Sequence, residues 1–347
     1  MKRHKYLYRQ ICTWENLLAA ARAAWKGKRS KDAAAAFFAR HEEEVVALRE
    51  ELLDGSYYPG EYHYFQIHDP KTRMVAAAPF RDRVVHHALV RVLEPIFDRR
   101  MIEDSYACRK GKGTHAAMHR AHQFTRRYRY ALKCDIQRYF PSMDHGILAG
   151  QIRRVVADER VLALIGLILA SHRDGVEQEW PRDGDLFSVR ERIRGLPIGN
   201  LTSQFFANIY LTGLDQFVKH DLRVKGYCRY VDDFLLFGDD RGLLREQGWA
   251  VRERLEDLRL SIHPDKYRLS ATRHGVDFVG FVLFPDGWRR LRGANVRRFH
   301  RRYRRMIWEM RAGRREAADV TRRVRCWIAH AEHAHSLGLR KAVLSHS

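Results

Sequence analysis

Two adjacent acids flanked on both sides by apolar, β-prone residues constrain this chain more than any other feature. The run from Arg229 to Phe237 reads RYVDDFLLF, and it predicts two strands over Tyr227–Phe237 that meet at a tight turn. Buried carboxylates are costly unless a positive charge neutralises them. A hairpin that carries Asp232 and Asp233 therefore indicates a site for a divalent cation. An exposed Asp-Asp turn is the alternative, and this segment alone does not decide between the two.

A second acid in a similar setting favours the cation site. Asp135 lies at the end of an apolar strand predicted over Tyr130–Ile136. Two-metal phosphoryl or nucleotidyl transfer requires carboxylates from separate strands that converge on ions about 4 Å apart. Hard oxygen ligands beside phosphates suit Mg²⁺. The five cysteines are scattered singly without a CxxC pair, so a structural zinc site is not indicated.

The charge of the chain indicates a polyanionic partner. Lys and Arg number 64 against 42 Asp and Glu, a formal net charge of +22, and nucleic acid is the commonest partner for such an excess. Ribosomal or membrane-surface association is the alternative. From Trp288 to Ser347 there are 17 Lys and Arg against 4 acids. Apolar residues at helical spacing over Val296–Met310 and Val320–Ala331 predict two helices with one cationic face, suited to phosphates; a solvated basic face is the alternative.

No apolar run approaches the roughly 18 residues of a membrane span, and no signal core follows the basic N-terminus, so we expect a cytoplasmic protein.

The other segments predict a mixture of helices and strands. Residues 172–194 carry Gly, Pro, Asp and mixed charges, which predicts an inserted loop or exposed hairpin. The remaining predictions are a helix capped by Thr13, a helix over 41–53, two short strands within 61–78, helices from Asp82, over 115–128, from Ser142, over Ser203–Lys219 and over 242–258, and a last strand over Phe278–Phe284.

These motifs resemble those of reverse transcriptases. Tyr230–Asp233 is similar to their Tyr-x-Asp-Asp box, and Asp135 matches the aspartate of their first palm motif. The resemblance implies an α+β right-hand polymerase, with fingers and palm made of an antiparallel sheet backed by helices and with a basic helical thumb. The implied divisions are an N-terminal helical extension over 1–60, fingers interleaved with palm over 61–130, a palm over 131–285 with the motif B helix and the insert 172–194, and a thumb over 286–347.

Within that family the chain resembles the reverse transcriptases of diversity-generating retroelements. Residues 196–204 read LPIGNLTSQ, whereas retroviral, group II intron and retron enzymes have Gln-Gly-x-x-x-Ser-Pro. Ile198 stands in place of that Gln, and Gln204 stands in place of the Pro. Residues 13–18, 106–109 and 113–116 also resemble this branch. It implies RNA-directed DNA synthesis that is error-prone at template adenines, for targeted mutagenesis of a variable gene. A retron or phage-defence reverse transcriptase and a catalytically inactive RNA-binding relative are the alternatives.

The resemblance implies roles for individual residues. Asp135, Asp232 and Asp233 are the expected catalytic carboxylates and, with Ile136, the expected metal-binding residues for two Mg²⁺ ions, for which Mn²⁺ can substitute. Phe140 matches the bulky residue that excludes a ribose 2′-hydroxyl. Phe278–Phe281 resembles the primer-grip region. The expected nucleotide-binding residues are Lys71, Arg73, Phe140, Ile198, Gly199, Gln204 and Lys266, and the expected nucleic-acid-binding residues are Arg81, Arg83, Arg297, Arg298, Arg301 and Arg305.

The resemblance also implies partners and a source of error. The expected partners are a template RNA, the RNA/cDNA duplex, deoxynucleoside triphosphates and a small basic accessory variability protein that forms a multimeric ring, with no membrane. The expected setting is the cytoplasm, in a bacterial, archaeal or phage-encoded system. Ile198 cannot donate the hydrogen bond that a glutamine gives to the incoming sugar. Because a lost contact of about 1 kcal/mol erodes selectivity several-fold, Ile198 is expected to permit misincorporation opposite adenines.

Overall fold

The computed structural model describes residues 3–28, 31–68, 72–172, 175–179 and 190–345 of the chain. The chain forms two compact units, and each unit is built from three separate segments of the sequence. The first unit comprises Met1–Ile102, Ile136–Phe217 and Arg252–Ser261, and the second comprises Glu103–Asp135, Val218–Val251 and Ile262–Ser347. This division differs from the expected boundaries at residues 60, 130 and 285, and those boundaries remain a prediction.

The first unit is mainly helical. Thr13 caps its second helix, as predicted, by accepting a hydrogen bond from the Asn16 backbone N–H at 3.3 Å. Gly55 ends the fourth helix with a φ of 86°, a left-handed conformation that favours glycine. The helices of this unit are α1 Leu7–Ile11, α2 Trp14–Trp25, α3 Asp32–Ala39, α4 His41–Asp54, α5 Phe80–Asp98, α7 Tyr139–Ser142, α8 His145–Arg153, α9 Glu159–Ala170 and α10 Leu201–Gln216. The chain continues from α10 as a π-helix over Phe217–Asp221, whose residues from Val218 onward belong to the second unit.

The helix predicted from Asp82 begins two residues earlier, at Phe80, directly after Pro79. Asp82 is an acid of the first turn and not the cap of the helix. Its buried carboxylate accepts hydrogen bonds from the Tyr57 hydroxyl and the Gly60 backbone N–H, each at 2.9 Å. Burial raises the pKa of Asp82 above its ordinary value. The acid therefore ties the segment after α4 to α5, which the helical spacing alone did not reveal.

Two antiparallel strand pairs complete the first unit. β1 (His63–Ile67) pairs with β2 (Arg73–Ala77), as predicted for residues 61–78. Within the insert 172–194, β4 (Gly175–Glu179) pairs antiparallel with β5 (Arg190–Arg194). Of the loop and the hairpin expected for this segment, its described residues therefore form the paired strands of a hairpin.

Asp144 connects several elements of the first unit. Its carboxylate caps α8 by accepting from the Ile147 backbone N–H at 2.9 Å. It also accepts from Arg192 Nε at 2.8 Å and from Arg259 Nη1 at 2.7 Å. Although burial opposes ionisation, these donors together hold the pKa of Asp144 below its ordinary value. One buried carboxylate therefore fastens α8, β5 and the segment after the helix Arg241–Asp257.

The second unit is built on a four-stranded antiparallel sheet in the order β6-β7-β3-β8. Its strands are β3 Tyr130–Asp135, β6 Gly226–Tyr230, β7 Asp233–Gly238 and β8 Arg268–Ala271. The helix α6 (Thr114–Arg127) covers one face through Ala117, Met118, Ala121 and Phe124, which belong to the same core as Leu235 and Phe237 of β7. The helix α11 (Arg241–Asp257) follows β7 along the chain.

The single last strand predicted over Phe278–Phe284 is wrong. β9 (Val276–Phe278) and β10 (Phe281–Leu283) form a hairpin, and β11 (Arg289–Leu291) completes a separate three-stranded sheet. The turn residues Val279 and Gly280 have φ values of 42° and 93°. Positive φ at both central residues is typical of a two-residue type I′ hairpin turn. The apolar character of Val279 concealed this turn in the sequence.

Three helices end the second unit: α12 (Gly293–Arg311), α13 (Ala317–Ala331) and α14 (Leu337–Ser345). Phe299 of α12 stacks on Trp327 of α13 with ring centroids 4.1 Å apart and planes 2° apart. Ala331 and Ala334 join the core formed with α6 and the three-stranded sheet. The two amphipathic basic helices predicted from the sequence are therefore present. Within the described residues, no helix combines the length and the apolar character that crossing a membrane requires.

A histidine cluster lies where α13 meets α6. The His115 ring stacks on His333 with centroids 3.5 Å apart, and His115 Nε2 lies 3.4 Å from His330 Nδ1. Burial first, and neighbouring positive groups next, lower the pKa values of His115, His119 and His330. The folded chain therefore binds fewer protons than the unfolded chain just below the ordinary histidine pKa of about 6.5.

We expect the free energy of unfolding to decrease as the pH falls from 7.5 to 5. Below a pH of about 6.5 the unfolded histidines take up protons that the folded cluster resists. Urea unfolding at several pH values measures this slope. His115→Asn removes one titrating ring and should make the slope shallower. Equal slopes for wild type and His115→Asn would contradict the assignment.

Candidate active site

The strand register brings two of the predicted carboxylates together. β3 and β7 pair so that Asp135 lies directly opposite Asp233. Directly opposed residues of an antiparallel pair point to the same face of the sheet with their Cβ atoms about 5 Å apart. The sequence places these residues far apart, and the pairing of β3 with β7 makes them neighbours. The spatial proximity on which the cation-site interpretation depends is therefore present.

The third carboxylate lies in the turn of the β6–β7 hairpin. Tyr230 pairs with Asp233, so Val231 and Asp232 are the two central residues. Val231 has a φ of 56°, which is strained for a β-branched residue. The Val231 carbonyl accepts a hydrogen bond at 3.0 Å from Nη1 of Arg229, a fully buried side chain. The hairpin therefore holds Asp232 next to Asp233 on a backbone under strain, as functional sites often do.

The electrostatics of Asp233 are those of a carboxylate that needs a cation. Burial, followed by the charges of Asp135 and Asp232, raises its pKa to about 7 against the lowering effect of Lys133. Within the described part of the chain, its Oδ1 atom is buried without a hydrogen-bond partner. An orphaned buried carboxylate oxygen beside two further carboxylates fits a divalent cation. Among the described residues, no three Asp, Glu, His or Cys side chains come together as a metal-binding group.

Two lysines form ion pairs with Asp135 and Asp233. Lys266 Nζ lies 2.5 Å from Asp135 Oδ1, and Lys133 Nζ lies 3.4 Å from Asp233 Oδ2. A cavity of about 460 Å³ opens beside them within the second unit, which is within the size range of ligand sites. Its charged lining consists of Lys133, Asp135, Asp233, Lys266, Arg268, Asp277 and Arg292.

Ile198, Gly199 and Asn200 run along β2 in the first unit. The Ala76 backbone N–H donates to the Ile198 carbonyl at 3.1 Å, and Asn200 Nδ2 donates to the Ala76 carbonyl at 2.8 Å. Gly199 has a φ of 114°, and a Cβ there would lie 2.9 Å from Val75 Cγ1. Glycine therefore allows the backbone at this position to pack closely against β2, and the role of Gly199 in nucleotide binding stays a prediction.

The other expected nucleotide-binding residues occupy varied environments. Phe140 lies half-buried in α7 and contacts Tyr139 edge-on with ring centroids 5.7 Å apart. Gln204 is exposed on α10, and Arg73 is exposed at the start of β2. Ile136, which is expected to bind metal and not nucleotide, is buried directly after Asp135, and that role stays a prediction. Lys71 lies outside the described residues, so its predicted contact with a triphosphate has no structural description.

The expected nucleic-acid-binding arginines divide into two groups. In the first unit, Arg81 forms an ion pair with Glu51, and Arg83 donates from Nε to the Ala78 carbonyl at 2.8 Å. These internal partners compete with any phosphate contact. On α12, Arg297 and Arg301 are exposed, whereas Arg298 binds the Asn295 side chain and Arg305 binds Glu309. The exposed face of α12 is therefore cationic, as the sequence predicts.

Lys133, Asp277 and Arg292 surround the carboxylates but were not singled out from the sequence. One signal was available for Lys133, because residues two apart on a strand share a face and Lys133 precedes Asp135 by two. No comparable signal exists for Asp277 and Arg292, whose contact with this site depends on the separate sheet of β9, β10 and β11.

Comparison with known proteins gives the class to which this geometry belongs. A sequence model of the reverse transcriptase (RNA-dependent DNA polymerase) family matches residues 67–283. Protein YkfC of Escherichia coli is 27% identical over 285 residues, covering 69% of this chain and 71% of YkfC. The group II intron-encoded protein LtrA of Lactococcus lactis is 27% identical over 180 residues, covering 51% of this chain but 28% of LtrA. A solved structure of telomerase from Candida albicans with a fragment of telomeric RNA has a TM-score of 0.46 at 15% identity, covering 68% of this chain and 46% of that one.

The match covers more than half of the chain and contains the β3 strand, the β6–β7 hairpin and the candidate carboxylates. The protein is an RNA-directed DNA polymerase by class, that is, a nucleotidyltransferase. It belongs to the reverse transcriptase family, and relatives encoded by group II introns share part of its sequence. Enzymes of this family use divalent metal ions. The predicted fold class, an α+β polymerase with an antiparallel sheet backed by helices, is confirmed.

Proposed function

We propose that this chain copies a template RNA into cDNA, with Asp135, Asp232 and Asp233 as the metal-binding carboxylates. The observation that carries the proposal is the register of β3 and β7, because it brings Asp135 opposite Asp233 next to the turn that holds Asp232. Carboxylates from two separate strands are what two-metal nucleotidyl transfer requires.

The residues present fit Mg²⁺, with Mn²⁺ as a substitute. The three carboxylates offer hard oxygen ligands, including the unpartnered Oδ1 of Asp233. Bound Mg²⁺ supplies positive charge beside the primer 3′-hydroxyl and the triphosphate. Lys266 holds Asp135 by an ion pair and so fixes the direction of its carboxylate. Phe140 is proposed to exclude the ribose 2′-hydroxyl by its bulk, and the exposed arginines of α12 are proposed to bind the phosphates of the RNA/cDNA duplex.

Primer extension tests this function. A DNA primer annealed to an RNA template should be extended by the purified chain when Mg²⁺ and all four deoxynucleoside triphosphates are present. Chelation of the metal by EDTA should stop extension, and excess Mg²⁺ should restore it. The absence of extension with both Mg²⁺ and Mn²⁺ would overturn the proposal and favour the alternative of an inactive RNA-binding relative.

Within the family, we propose the diversity-generating branch. The support is local to the segment 196–204, where Ile198 and Gln204 replace the Gln and Pro of other branches. In the first unit this segment is fixed against β2 by the carbonyl of Ile198 and by both amide atoms of Asn200. These hydrogen bonds hold the backbone that carries the Ile198 side chain against β2, and we propose that this side chain meets the incoming nucleotide.

We expect Ile198→Gln to lower misincorporation opposite template adenines several-fold. The glutamine restores a hydrogen bond worth about 1 kcal/mol that discriminates between correct and incorrect geometry. Sequencing of cDNA made on an RNA template rich in all four bases measures the error rate for each base. Ile198→Val, which remains apolar, is the matched control and should keep the wild-type errors. An unchanged adenine error rate in Ile198→Gln would exclude this role of Ile198.

The accessory variability protein and the cytoplasmic setting rest on the resemblance alone. We propose such a small basic protein as a partner, to be tested by co-purification of the tagged chain with the product of a neighbouring reading frame. A near-duplicate DNA repeat beside the gene that differs mainly at adenines would identify the template region.

A further inference from the structure

An ionic network extends from the candidate catalytic carboxylates to the first C-terminal basic helix. It begins at Lys133, which lies on β3 two residues before Asp135 and is 20% exposed. The Lys133 ammonium lies 3.4 Å from Asp233 Oδ2 and donates a hydrogen bond to the Asp277 carbonyl at 2.7 Å. Lys133 also lies 3.9 Å from Asp277 Oδ1. One cation therefore connects β7, which carries Asp233, with β9 of the neighbouring sheet.

The network continues on the other side of Asp277. Its carboxylate accepts a hydrogen bond at 2.9 Å from Nε of Arg292, and a second guanidinium nitrogen also contacts it. Arg292 is the residue that precedes α12. Its backbone N–H donates to the carbonyl of Gly280, in the turn of the β9–β10 hairpin, at 2.9 Å. Arg292 therefore binds both the first strand and the turn of this hairpin at the point where α12 begins.

These contacts add to the apolar core in which Val276, Phe278, Phe281 and Leu283 of the hairpin are buried. β9 and β10 are three residues long each, and such short strands provide few ladder hydrogen bonds to fix their direction. The side chains of Lys133 and Asp233 are each 20% exposed, and those of Arg292 and Asp277 are 36% and 43% exposed. The Lys133–Asp233 pair is therefore better shielded from solvent and interacts more strongly than the Arg292–Asp277 pair. The hairpin and the start of α12 are thus tied to the sheet that carries the carboxylates.

We propose that Lys133, Asp277 and Arg292 form a relay that positions the β9–β10 turn and the first turn of α12 relative to Asp233. The relay rests on the proposed polymerase function, because its purpose is to keep the elements around the primer end in register with the catalytic carboxylates. Lys133 is a positioning residue, since it acts through Asp233 and Asp277. A displacement of about 1 Å can reduce a rate about 100-fold, so a relay of this kind has a measurable effect.

Hydrogen–deuterium exchange tests the relay without any need for activity. In Lys133→Met, the backbone amides of residues 276–283 and 293–296 should exchange at least about threefold faster than in wild type. In wild type, local opening of the hairpin must break the ionic contacts of Lys133, and the variant lacks these contacts, so that opening costs less free energy. Arg273→Gln is the matched control, since it removes one positive charge from an exposed position of the same unit, and it should leave these amides unchanged. Unchanged exchange in Lys133→Met would overturn the relay even if the chain is an active polymerase.

Kinetics give the second arm of the test. For single-nucleotide addition, Lys133→Met should lower kcat by about 10- to 100-fold, with the KM for the nucleotide changed by less than about threefold. Lys133→Arg should recover much of this loss. Asp277→Asn, Arg292→Gln and their combination should show similar losses, because they remove one shared interaction. Fully additive losses, or no rescue by Lys133→Arg, would contradict the relay. If the wild-type chain has no polymerase activity but Lys133→Met still exchanges faster than wild type at these amides, the polymerase function is rejected and the relay is retained.

Discussion

Asp135→Asn is expected to lower the rate of nucleotide addition by about 10³-fold or more, because loss of the carboxylate proposed to bind metal would remove several kcal/mol of transition-state stabilisation. The amide keeps the size of the side chain and can still accept a hydrogen bond from Lys266, but it lacks the negative charge that is proposed to bind the cation. Asp232→Asn should give a loss of the same order. Single-turnover extension of a DNA primer on an RNA template, with Mg²⁺ well above saturation, measures both losses.

The control for these variants is a carboxylate outside the site. Asp286→Asn changes an exposed acid whose described role is to accept a hydrogen bond from the Trp288 backbone N–H, and it should retain the wild-type rate. Circular dichroism verifies that each variant is folded. Retention of more than about a tenth of the wild-type rate by Asp135→Asn would contradict the proposed metal role, since tenfold corresponds to no more than about 1.4 kcal/mol.

The second large effect is expected at Phe140. Phe140→Ala should lower the preference for deoxynucleotides over ribonucleotides by about 10- to 200-fold, the range that a lost packing contact of 1–3 kcal/mol produces. The smaller side chain would leave space for a 2′-hydroxyl. The ratio of kcat/KM for a deoxynucleoside triphosphate to that for the matching ribonucleoside triphosphate is the quantity to measure.

Phe140→Tyr is the matched variant, because it keeps the ring and should keep the preference. Tyr139 beside it serves a different purpose, since its hydroxyl donates to the Ala207 carbonyl at 2.5 Å inside the first unit. Tyr139→Phe should therefore alter stability more than sugar selection. A full preference for deoxynucleotides in Phe140→Ala would show that this ring packs within the fold and does not select the sugar.

The sequence predicted the elements whose pattern is local. The strand over residues 130–136 and the hairpin over 227–237 followed from apolar runs with a turn between them, and both are present within a residue or two. The sequence also predicted the cap of α2 at Thr13 and the basic helices α12 and α13, because helix caps and amphipathic spacing depend on residues that are near one another along the chain. The family motifs then identified Asp135, Asp232 and Asp233 as a group.

What the sequence could not provide depends on contacts between distant segments. The ionic partners of Asp144 come from β5 and from the segment after α11, and no local pattern relates them. The turn at Val279 and Gly280 was read as strand interior because its neighbours are apolar, although a glycine inside a strand often marks a turn or bulge. The resemblance implies a nucleotide contact for Lys266, which stays a prediction, and the structure adds an ion pair between its ammonium and Asp135 that no local pattern indicates.

The left-handed backbone of Val231 has a consequence for attempts to make this protein more heat-resistant. A glycine at this position would adopt the observed φ of 56° without the cost of about 1–3 kcal/mol that a branched side chain incurs. Screening for a higher melting temperature alone would therefore favour glycine at residue 231. The same change would free the two-residue link that aims Asp232, so the selected variants would survive heating while synthesising less DNA.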